Sequence, residues 1–114
     1  MFDEHKIKGK IKISDFIKEL RDYGYDYIET TKHTFIRLSE KQRKIYTEKV
    51  LKNILFNETP LEVHLQKNDN YALIYNFDEN KKLLKILVSL TPNKVYIVTF
   101  YILNKEQERA FKNG

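Results

Sequence analysis

The chain has no cysteine, and of its three glycines only Gly9 and Gly24 are internal. Without cysteine there is no disulfide, no thiolate zinc site and no cysteine nucleophile. Gly9 and Gly24 stand far apart, so no glycine-rich loop can cradle the phosphates of a nucleotide. No serine lies in a nucleophile-elbow context. The three histidines, His5, His33 and His64, lack close spacing and have no carboxylate cluster beside them. No metal site is expected, and no cofactor is implied. No apolar run approaches the roughly 18 residues that a bilayer span needs. Met1 to Lys6 is charged and lacks the apolar run of a signal peptide. The expectation is a cytoplasmic protein without membrane contact.

What is present fits one domain over residues 1–114. Apolar residues make up 41% and charged residues 32%, the balance of a folded chain rather than a disordered one. The net charge of +5 is concentrated in one place. Residues 1–31 hold six Lys/Arg and seven Asp/Glu, residues 32–53 hold seven and two, and residues 54–114 hold eight and seven. The surplus therefore sits in the middle segment, on Lys32, Lys41, Arg43, Lys44, Lys49, Lys52 and Arg37. A localised positive field attracts polyanions such as nucleic acid. The alternative is a solvated lysine-rich surface.

Residues 6–12 alternate Lys with Ile and read as a short edge strand or an ordered arm. Ser14 is placed to cap a first helix carrying Phe16, Ile17, Leu20 and Tyr23, which Gly24 ends. Tyr23, Tyr25 and Tyr27 alternate and suggest a short extended segment. Such tyrosines either stack on bases or cover a core edge. Thr30 or Thr31 is placed to cap a second helix carrying His33, Phe35, Ile36 and Arg37. Ser39-Glu40-Lys41-Gln42 is a capping box opening a third helix, expected from about Glu40 to Phe56. Asn57 and Pro60 stop it.

After Pro60 the period changes from 3.6 to 2. Strands are expected around residues 61–66, 71–77, 83–90 and 95–103, separated by turns at 67–70, 78–81 and 91–94. Residues 104–114 read as a short polar helix. The expected fold is α+β, with N-terminal helices on a four-stranded antiparallel meander.

Candidate chemistry gathers on His33 and Arg37. On a helix they share one face. A histidine can transfer protons near neutral pH, and an arginine can grip a phosphate. That pairing suits metal-free RNA cleavage, in which a base takes the 2′-OH proton and cations stabilise the phosphorane. The alternatives are a partly buried His33 bonded to a backbone carbonyl and an Arg37 paired with Glu40. His64 reads as a solvent-facing strand residue, or else as a second catalytic histidine. Thr99 interrupts an apolar strand, with Tyr101 on the same face. It either bonds a neighbouring group or faces a cleft between sheet and helix.

Over residues 30–103 the pattern resembles the barnase–EndoU–colicin–RelE group of small metal-independent RNases and toxins. The features that carry the resemblance are Lys32-His33-x-x-x-Arg37, a following helix, the meander, and a last strand Val95-Tyr96-Ile97-Val98-Thr99-Phe100-Tyr101. The resemblance implies catalytic roles for His33, Arg37 and Thr99, with Tyr101 as a further candidate. It also implies RNA as partner and an antitoxin-like protein partner. Two other readings stay open. One is a non-catalytic nucleic-acid-binding module using Lys41, Arg43, Lys44, Lys49 and Lys52. The other is an interaction domain that forms a homodimer through a strand edge.

Overall fold

Helical spacing before Pro60 and alternation after it are both realised in the computed structural model, which describes residues 7–36, 38–77 and 82–113. The elements are β1 (Ile7–Lys10), α1 (Ile13–Tyr23), a 3-10 turn (Tyr25–Tyr27), β2 (Ile28–Thr30), α2 (Glu40–Ile45) and α3 (Glu48–Asn57). Then come β3 (Glu62–Gln66), β4 (Tyr71–Phe77), β5 (Lys82–Leu90), β6 (Val95–Ile102) and α4 (Lys105–Asn113). The turn expected at 78–81 lies outside the described residues.

The expected meander, β3 to β6, forms the middle of the sheet, each neighbouring pair being antiparallel. The correction is at its edges. The sheet has six strands in the order β1-β3-β4-β5-β6-β2. β1 adds antiparallel to β3, and β2 adds parallel to β6. The fold is thus α+β with a mixed six-stranded sheet. Parity explains the mixture. Between the two edges lie four alternating strands, so a β2 running in the same direction as β1 must be parallel to β6. The chain between them crosses five strand spacings, about 24 Å.

The helices depart from expectation in several places. The first starts at Ile13 without the Ser14 side-chain cap, but it ends at Gly24 (φ 91°) as predicted. The Tyr25–Tyr27 segment is a 3-10 turn rather than extended, and strand begins at Ile28. The capping box is real: Ser39 Oγ accepts from the Gln42 N–H and Gln42 Oε1 accepts from the Ser39 N–H, each at 3.2 Å. Its helix, however, stops at Ile45. Tyr46 turns into the core, 6% exposed, with its ring 5.3 Å from that of Phe100. Thr47 Oγ1 then caps α3 by accepting from the Val50 N–H at 3.2 Å.

One face of the sheet carries the core. Phe16 and Leu20 of α1 and Leu51 and Leu55 of α3 cluster with Leu73, Leu84, Ile86, Val88 and Ile97. On β6 a bulge resets the alternation. Leu87 pairs with Thr99 and Val88 with Ile97, leaving Val98 as the extra residue. Ile97 and Phe100 therefore both enter the core. Thr99 and Tyr101 project from the other face, which α4 partly covers.

Candidate functional site

The basic segment folds as a series of turns over residues 31–36, followed by α2 and α3. Lys32, Lys41, Arg43, Lys44 and Lys49 are exposed, and Lys52 is half-buried. Lys52 Nζ stands 4.4 Å from the centroid of the Tyr25 ring, a cation–π contact. Tyr27 nearby is 54% exposed. A shallow depression of about 270 Å³ lies among Phe35, Arg43, Tyr46, Thr47 and Glu48.

The only acids in residues 32–53 are Glu40 and Glu48. Glu48 is occupied: its Oε2 accepts from both the N–H and the hydroxyl of Thr30. The Thr30 hydroxyl chiefly, against the opposing effect of burial, holds the carboxyl below the ordinary carboxylate range. A carboxyl depressed in the folded state stabilises above its unfolded pKa of about 4.3 and loses that contribution as pH falls through its folded value. Glu48→Gln is expected to be less stable than wild type by about 1 kcal/mol at neutral pH. Urea melts should show that gap closing as the pH drops below about 4. A gap that persists in acid would mean that the contact does not depend on the charge.

Residues 31–36 and 38 are not the helix expected from the sequence. Thr34 N–H donates to Thr31 O, Ile36 N–H to His33 O and Leu38 N–H to Phe35 O, all at the i+3 spacing of consecutive turns. Threonine side chains take over the backbone bonding there. Thr34 Oγ1 accepts from the Thr31 N–H at 2.8 Å and donates to Ile97 O at 2.7 Å. Phe35 packs edge-on to Phe100 at 6.2 Å, and Arg43 Nε donates to Phe35 O at 3.2 Å. His33 is exposed on this loop. Arg37 lies outside the described residues. The described residues of this stretch form turns where a helix carrying the pair was expected.

Thr99 and Tyr101 project from the face of β6 opposite Phe100, whereas the His33 loop is anchored on Phe100 through Phe35. Loop and strand residues are thus not gathered into one cleft. Tyr101 instead lines a second concavity, about 610 Å³, between the sheet and α4. Its walls include Glu62, His64 and Gln66 of β3 and Lys85 of β5. His64, expected to face solvent, is only 8% exposed. The reason is tertiary: β1 pairs outside β3, setting Lys10 opposite His64, and α4 covers that face. The signal available in sequence was three polar residues at alternate positions of β3 together with a lysine inside the apolar run of β5. Each reads as solvent-facing until the covering helix is placed.

Residues 14–87 match the family model described as the MJ0788 family. The chain belongs to the MJ0788 family. The matched region runs from α1 into β5, so it holds the basic surface and the polar residues of β3, while Thr99, Tyr101 and α4 lie beyond it. No curated protein and no solved structure matches the chain. For this MJ0788 family member the chemistry rests on the geometry of its two surfaces. Among the described residues, no group of three or more His, Asp or Glu side chains is placed to hold a metal ion. No described helix is long and apolar enough to cross a membrane.

Proposed function

We propose that this protein binds single-stranded nucleic acid, RNA in particular, on the surface formed by residues 31–36, α2 and α3. The observation that carries the proposal is the projection of Lys32, Lys41, Arg43, Lys44 and Lys49 into solvent from one contiguous segment. Cations contact phosphates whatever the sequence, and aromatic rings favour unpaired bases that can stack. The exposed Tyr27 and the depression beside Phe35 and Tyr46 supply such rings. Titration of a short fluorescent single-stranded RNA should give affinity that falls steeply with salt, with a log–log slope of about −3.5 for five contacts. Affinity that ignores salt would overturn the proposal.

The exposure of His33 at the start of this surface favours a second reading. In it the protein is a metal-independent ribonuclease of the kind the resemblance implies, with an antitoxin-like partner. His33 would move the 2′-OH proton, and neighbouring cations would hold the phosphate. Incubating the same RNA in EDTA decides between the two. Cleavage that His33→Ala abolishes establishes the nuclease, and intact RNA with unchanged binding establishes the binding module. A strand-edge homodimer has less support, since the edge strands β1 and β2 have only four and three residues.

A further inference from the structure

The cleft beneath α4 is built differently from the basic surface. Its floor is the second face of the sheet, where register sets Glu62, Ile74, Lys85 and Tyr101 in one cross-strand row. Its apolar walls include Leu87, Leu103 and Phe111. Its volume of about 610 Å³ suits a small organic molecule.

Charge within it is unbalanced. Lys10 Nζ lies 3.3 Å from Glu62 Oε1, and His64 Nε2 lies 2.8 Å from Glu62 Oε2. The second is a close approach of the imidazole to the carboxylate rather than an aligned hydrogen bond. The one carboxylate among the described residues that line the cleft is therefore already engaged by two basic groups. Lys85 has no carboxylate or hydrogen-bond partner among the described residues, although it stands half-buried in the middle of an interior strand. Burial alone lowers its pKa. At the other end of the cleft, Gln66 is 1% exposed, and its Oε1 has no donor among the described residues. A buried acceptor without a donor is costly, so it is normally matched by a partner.

We propose that this cleft binds an elongated amphipathic carboxylate, with its anionic end on Lys85, its apolar body along Ile74, Leu87 and Phe111, and a hydroxyl at its far end donating to Gln66. A single free ammonium in an apolar setting selects a monoanion over a phosphate dianion. The Cα atoms of Gln66 and Lys85 are separated by two strand spacings and four residues, roughly 16 Å along the sheet. Both side chains line the cleft, and a hydroxyaryl alkanoate on the order of 10 Å long fits within that separation.

The probe is 4-(4-hydroxyphenyl)butanoate, titrated into the full chain and followed by amide chemical shifts, with its methyl ester and the matching amine as comparators. Saturable shifts in β5, β6 and α4 for the carboxylate, at least tenfold weaker for ester and amine, are the expected result. Lys85→Met should lose binding at least tenfold while raising Tm, because it removes a desolvated charge and keeps the apolar stem. A residue that merely holds the fold would lower Tm instead. Gln66→Leu should weaken the hydroxylated probe more than 4-phenylbutanoate. No saturation at millimolar probe, equal binding of acid and ester, or unchanged binding by Lys85→Met would each overturn the proposal. Binding here does not depend on the nucleic-acid surface, so either result leaves that reading to its own test.

Discussion

Replacing Phe100 with alanine is expected to destabilise the protein by about 3–5 kcal/mol. Phe100 is 5% exposed and sits where three parts of the chain meet. The Phe35 ring reaches it from the loop at 6.2 Å, and the Tyr46 ring reaches it from the break between α2 and α3 at 5.3 Å. The cost includes the lost transfer of a buried ring, the cavity left behind, and two aromatic contacts worth about 0.5–1.5 kcal/mol each. A domain of this size has roughly 5–15 kcal/mol in total, so the variant stands close to the unfolding threshold. Tm should fall by about 15 °C or more. Phe100→Leu, which keeps most of the volume, should fall much less. Amide exchange in residues 31–38 should accelerate in both variants, because the loop loses its anchor before the sheet does. A loss below about 1 kcal/mol for Phe100→Ala would mean that the loop and the α2–α3 junction do not rest on β6 as described.

Neutralising Lys41, Lys44 and Lys49 together with glutamine is expected to weaken RNA binding by about 100-fold at 0.1 M salt and to flatten the log–log salt slope by about 2. The three are exposed and form no ion pair or hydrogen bond among the described residues, so stability should stay within about 0.5 kcal/mol of wild type. Arg43 and Lys52 are left in place because each also has a structural role. Arg43 Nε holds the Phe35 carbonyl, and Lys52 lies over the Tyr25 ring. An unchanged slope would show that the charge is only a solvated surface. A flattened slope with unchanged EDTA-resistant cleavage would instead separate binding from catalysis.

The basic surface was legible because charge adds along the chain without reference to fold: seven cations against two acids in 22 residues is a property of composition. The His33–Arg37 pair was read through an assumed helix, and that assumption failed. Thr30 and Thr31 look like cap residues in sequence. In the folded chain Thr34 spends its hydroxyl on Ile97, 63 residues away, and the local backbone settles into turns. The cleft residues were missed for a complementary reason. His64 and Gln66 alternate with apolar neighbours as residues facing water would, Lys85 is a lone charge within an apolar run, and only β1 and α4 put them under cover.

The sequence by itself determined the features that depend on a few neighbouring residues. These are the end of α1 at Gly24, the Ser39–Gln42 capping box, the change of period after Pro60, the four antiparallel strands that follow, and the place where positive charge accumulates. Tertiary structure decided what depends on partners far along the chain. It set both edge strands, the parallel pairing of β2 with β6, the break that buries Tyr46, and the bulge at Val98 that turns Thr99 and Tyr101 away from the core. Caps and periodicity are local and leave a mark in sequence, whereas strand neighbours, register shifts and burial of a polar face are fixed by whichever long-range contacts remove the most apolar surface from water.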